Sequence, residues 1–168
     1  MTEQVLINSA AFAQDGEHLE GQVGVQRLTR LHDQLASTDG TVHYVLQGGL
    51  TERREPRIEC TINGSVKLIC QRCLRGLAHQ ITVQSKLIVV ASEAQLPALE
   101  EEDASADYMV ADPVFDVIAL VEDEILLALP IAPMHAQGEC VDRPSEAARG
   151  DTPSPFAALA KLKLPEQD

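Results

Sequence analysis

From Arg57 to Ile62 polar and apolar side chains alternate without a break, placing Ile58, Cys60 and Ile62 on one face. A period of two lets a strand bury one side and solvate the other, whereas a helix would scatter the same residues around its circumference. Asn63-Gly64 follows. Both residues tolerate left-handed backbone, so the pair predicts a type I′ hairpin with Ser65 to Ile69 as the return strand. Val42 to Leu50 is rich in β-formers and is expected to end in a bend or bulge at Gly48-Gly49. Gln80 to Val90 continues through Ile81, Val83, Leu87 and Val89, with a bulge expected between Val83 and Leu87. These segments predict an antiparallel meander of about four strands.

Three helical segments accompany it. Leu28, Leu31 and Leu35 recur at helical spacing and predict a short amphipathic helix within Gln26 to Ala36. Asp116 to Leu129 has an N-cap residue at its start and Pro130 at its end. Val117, Val121, Ile125 and Ala128 form its apolar stripe, and Glu122, Asp123 and Glu124 are expected on a solvated face. Pro155 to Leu164 reads as a last short helix. Val5 to Val25 is weakly patterned and reads as irregular or short strand. The expected fold is α+β: an antiparallel β-meander or partial barrel with two or three helices packed on it and a flexible C-terminal segment. One domain is expected over 1–136, with a mobile acidic loop at about 91–112, a polar linker over 137–154, and the short helix over 155–164.

The formal net charge of −13 is regional. Met1 to Lys86 carries nine acidic and nine basic residues, and Arg143 to Asp168 carries four of each. The whole excess lies in Leu87 to Asp142, with thirteen acids and no Lys or Arg. Such a surface repels phosphate backbones and attracts basic protein. With no Trp, two Tyr and three Phe, the chain also lacks the rings needed to stack successive bases. No secretory signal is read at the N-terminus, and Ile125 to Ala136, broken by Pro130 and Pro133, is too short to span a bilayer. A cytoplasmic location with reduced thiols is expected.

Cys70-Gln71-Arg72-Cys73 closes a predicted strand, and two thiolates on such a turn can hold one side of a tetrahedral zinc ion. His135 and Cys140 supply the right ligand types to complete a Cys₃His set, so a structural zinc is a candidate cofactor. Ordinary thiols in a turn and a thiol-redox pair are the alternatives. The redox reading suffers because the motif closes a strand instead of opening a helix, whose dipole would depress a thiol pKa. Cys60 reads as core. Arg53, Arg54, Arg57, Arg72 and Arg75 form either a small RNA-contacting patch or charged guards on strand edges.

No catalytic constellation is found. Glu122, Asp123 and Glu124 point about 100° apart on a helix, so they suit a basic partner better than one substrate atom. Phe156, Leu159 and Leu162 could seat in a partner's groove or dock on the chain itself. Neither a membrane nor a small-molecule substrate is indicated.

Three segments together resemble the YceD family, named for large ribosomal RNA subunit accumulation. They are Cys70-Gln71-Arg72-Cys73, the run from Asp116 through Val121-Glu122-Asp123-Glu124-Ile125 to Pro130 with His135 and Cys140, and Pro155-Phe156 to Lys163. The resemblance covers roughly Val42 to Leu164. It implies a non-enzymatic role in synthesis, processing or stability of 23S ribosomal RNA, with a ribosomal protein or assembly factor of the large subunit as partner. Many relatives carry a second CxxC-type cluster where this chain has only His135 and Cys140, which leaves the metal open. A thiol-redox or RNA-processing enzyme is the alternative function.

Overall fold

The structure is a computed structural model that describes residues 4–97 and 106–140. The acidic run Glu100 to Asp103, most of the expected linker and the expected helix over 155–164 lie outside the described residues.

The fold is α+β, as the sequence predicts. Its sheet contains β2 (His18–Gly24), β4 (Thr41–Leu50), β5 (Pro56–Ile69), β6 (Gly76–Val90) and β7 (Asp107–Val110), in that order. Each neighbouring pair is antiparallel except β6 and β7, which are parallel. A short strand, β3 (Leu35–Ser37), pairs with β5 near Leu68. The sheet stays open between β2 and β7, and a separate two-residue pairing joins β1 (Leu6–Ile7) to β8 (Phe115–Asp116).

The expected hairpin at Asn63-Gly64 does not form. β5 runs straight through it because Gly64 is paired on both sides, opposite Val42 of β4 and Ile81 of β6. A turn there would break two hydrogen-bonded ladders for one local preference. The real reversals lie at 51–55 and 70–75, where Arg54 (φ 64°) and Leu74 (φ 59°) take the left-handed backbone without help from glycine.

Neither expected irregularity forms either. Ile81, Val83, Leu87 and Val89 share one parity and one face, and β6 keeps an unbroken register against β5. Register is also continuous through Gly48-Gly49. Gly48 serves packing: a Cβ there would collide with the Phe12 carbonyl.

Phe12 belongs to α1 (Ser9–Gln14), a helix the sequence reading missed, capped by the Asn8 side chain on the Ala11 N–H at 3.0 Å. The helix expected over 26–36 is instead two 3-10 turns, Val25–Arg27 and Thr29–Gln34, followed by β3. Its leucines are buried as expected. The long helix α2 (Val117–Ala128) is capped by Asp116, which accepts from Ile118 N and Ala119 N. Val117, Val121 and Ile125 are fully buried, whereas Ala128 is exposed. Inward residues of β4, β5 and β6 meet α1, α2 and the 3-10 turns in one core. The segment expected as an acidic loop contains a 3-10 turn at Glu93–Gln95 and β7.

Candidate metal centre

The β5–β6 reversal is the Cys70–Cys73 turn. Cys70 N donates to Arg75 O at 2.9 Å, closing the hairpin, and Leu74 N returns to Cys70 O at 2.8 Å. Gln71 N donates to Pro133 O at 2.8 Å, tying the segment after α2 to the turn. The same segment carries His135 and Cys140 to the two other thiols.

The four donor atoms of Cys70, Cys73, His135 and Cys140 all lie within 4.8 Å of one another. Cys70 Sγ is 3.9 Å from Cys140 Sγ, Cys73 Sγ is 3.4 Å from His135 Nδ1, and Cys140 Sγ is 3.9 Å from the same nitrogen. A tetrahedral zinc with ordinary Zn–S and Zn–N bonds needs edges of about 3.8 Å between sulfurs and about 3.6 Å from sulfur to nitrogen. These three contacts lie close to such edges, so the set is near the geometry that holds a metal ion. His135 Nε2 lies 3.2 Å from Gly76 O, so it carries the proton and donates it, leaving Nδ1 as the free lone pair facing the thiols.

Electrostatics favours the thiolate of Cys70. Backbone N–H groups, first that of Cys73 and then those of His135 and Arg72, bring the Cys70 thiol down to about 5 against the cost of its burial. Burial and the two neighbouring thiols push Cys140 up. Arg72 aims Nη1 at Cys140 Sγ and Nη2 at Met134 Sδ, at 4.0 and 3.8 Å. Cys60 lies apart in the core, pushed up to about 12 by burial first and Glu124 second, an inert thiol as its alternation suggests.

The five arginines are not brought together. Arg53, Arg54 and Arg57 lie at one end of β5, where Arg57 pairs with Glu59 at 3.0 Å; Arg72 and Arg75 lie at the other. The intervening strand is about 40 Å long at ordinary strand rise.

The acidic stretch of α2 also differs from the expected solvated face. Glu122 and Glu124 are each only 8% exposed. Glu122 takes Arg30 N at 2.7 Å and Arg30 Nε at 2.8 Å, while Asp123, which is exposed, takes Arg30 Nη1. Glu124 turns onto the sheet beside Ser85, and burial raises its carboxyl above the ordinary range. Arg30 completes the clamp on Ala119 O at 3.1 Å. No sequence signal marks Arg30 as a partner, because 92 residues separate it from Glu122.

Phe156, Leu159 and Leu162 lie outside the described residues. Among the described residues no helix is long and apolar enough to cross a membrane.

A family model described as "Large ribosomal RNA subunit accumulation protein YceD" matches residues 58–163. A Haemophilus influenzae protein of that same name is 27% identical over 150 residues, covering 85% of this chain and 86% of that protein. No solved structure matches. The matched span starts in β5, takes in the turn, α2 and all four metal-competent donors, and the chain belongs to the YceD family.

Proposed function

We propose that this chain is a non-enzymatic accessory factor that supports synthesis, processing or stability of 23S ribosomal RNA in large-subunit biogenesis. It works in the cytoplasm by binding a basic ribosomal protein or assembly factor. The family match over residues 58–163 carries this reading. Structural zinc held by Cys70, Cys73, His135 and Cys140 pins the segment after α2 to the β5–β6 turn.

Four protein donors leave no open coordination position for substrate or water, which supports a structural metal over a catalytic one. RNA contact through arginine would be divided between the two ends of β5. The partner contact of the acidic region falls on groups other than Glu122 and Glu124, which are occupied within the chain.

The test is depletion of the protein in its host. Reduced mature 23S RNA and fewer large subunits are expected, with rescue by the wild-type chain. Unchanged large-subunit levels would refute the role. Elemental analysis of the purified chain should find about one zinc per molecule, falling to none in Cys70→Ser/Cys73→Ser. A metal-free, folded wild type would refute the structural zinc and favour thiol-redox work.

A further inference from the structure

Arg72 stands between the two thiols of the Cys70–Cys73 turn, and its guanidinium meets sulfur instead of carboxylate. Nη1 lies 4.0 Å from Cys140 Sγ, and Nη2 lies 3.8 Å from Met134 Sδ. The chain holds 26 Asp and Glu residues, yet among the described residues Arg72 pairs with none of them. The backbone explains the placement. Cys70 N on Arg75 O and Leu74 N on Cys70 O fix the turn, and Gln71 N on Pro133 O draws the segment carrying Met134 and Cys140 alongside it. A guanidinium offers its N–H groups as a rigid planar fork, so meeting two sulfurs of one segment sets its plane as well as its position.

Charge gives that position a consequence. A divalent zinc ion held by three thiolates and one neutral imidazole keeps one net negative charge. His135 contributes no positive charge there, because Nε2 spends its proton on Gly76 O and Nδ1 faces the thiols as a lone pair. Nor does the rest of its segment, since Leu87 to Asp142 contains no Lys or Arg. A cation must therefore come from the β5–β6 turn. That turn has two, Arg72 and Arg75, and of these the Arg72 side chain touches a ligand sulfur. A separation of 4.0 Å is well inside the screening length of about 10 Å at 0.1 M salt, so the attraction survives in solution.

We propose that Arg72 is the counter-ion of the metal centre, offsetting the surplus negative charge of the zinc-bound Cys70, Cys73, His135 and Cys140 set and acting mainly on the Cys140 thiolate. The proposal rests on the structural-zinc reading given above. It gives Arg72 a task inside the chain and takes it out of the group that the sequence offers for RNA. Arg72 is a positioning and charge-balancing residue, not a ligand, since a guanidinium has no lone pair to give a metal.

The test uses the full chain, zinc and a competing chromophoric chelator. Wild type should hold about one zinc per molecule. Arg72→Gln should hold the same number about tenfold more weakly, the lower end for partners of metal ligands, because Arg72 is exposed. Arg72→Lys keeps the charge and loses the fork, so it should recover most of the affinity. Arg75→Gln removes the same charge from the same turn. It should change affinity less than about twofold, because the Arg75 side chain meets no thiol among the described residues. Raising salt from about 0.05 M to about 0.5 M should shrink the ratio of wild type to Arg72→Gln, a response that lost packing would not give.

Equal zinc affinity in wild type and Arg72→Gln overturns the counter-ion and leaves the zinc standing. So do equal losses in Arg72→Gln and Arg75→Gln, which would mark a general field instead of a specific contact. A loss that salt does not alter and Arg72→Lys does not recover overturns it in favour of packing. A wild-type chain that binds no zinc overturns the zinc reading itself, and this proposal with it.

Discussion

Replacing Glu122 with alanine tests whether the acids of α2 serve the fold. Its carboxylate accepts from the Arg30 backbone N–H at 2.7 Å and from Nε at 2.8 Å while only 8% exposed. Removing it strands a backbone donor, at about 1–3 kcal/mol. The guanidinium contact adds less, about 1 kcal/mol at most, because the Arg30 side chain is 47% exposed and screened by water. Glu122→Ala should therefore cost about 2–4 kcal/mol. Glu122→Gln keeps an acceptor for the amide and should cost about 1 kcal/mol. Asp123→Asn, at an exposed position, should stay within about 0.5 kcal/mol of wild type. Urea unfolding followed by far-UV circular dichroism measures all three, since the chain has no Trp to report by fluorescence. A Glu122→Ala variant within about 0.5 kcal/mol of wild type would refute the clamp. A Gln variant as damaged as the Ala variant would show that charge, not the stranded amide, sets the cost.

Leu74→Gly should stabilise the chain by about 1 kcal/mol in the same assay, because Leu74 holds φ 59° while its side chain is 60% exposed. Gly48→Ala should cost more than about 2 kcal/mol, since the added methyl meets the Phe12 backbone. Glu124 gives a pH signature. Burial raises its native carboxyl above the ordinary 4.5, so the native state keeps a proton that the unfolded chain releases first. Its effect is absent below that ordinary value, and stability falls as pH rises from there through the native one. Glu124→Gln should therefore be more stable than wild type at neutral pH and lose that decline; an unchanged profile of unfolding midpoint against pH would refute it.

Signals carried by adjacent residues were legible in the sequence. Alternation from Arg57 onward marked the central strands, and Asp116 and Pro130 bracketed α2. The CxxC spacing with His135 and Cys140 named the four donors that the fold brings within 4.8 Å. The strands, the caps and the CxxC turn depend on geometry within a few residues of chain, which composition and spacing express directly, whereas the meeting of the two ligand pairs is the fold's doing. Other features depended on partners distant in sequence. Asn63-Gly64 became mid-strand because neighbours on both sides pair with it, and six residues of α1 were too few to show a period. Glu122 and Glu124 looked solvated until Arg30 and the sheet reached them. The arginines looked like one patch until the 14-residue β5 separated them. Local preference is worth about a kilocalorie per residue, whereas a pair of ladders or a stranded part-buried amide is worth several together. Tertiary contact therefore decided the turns and the fate of the charges.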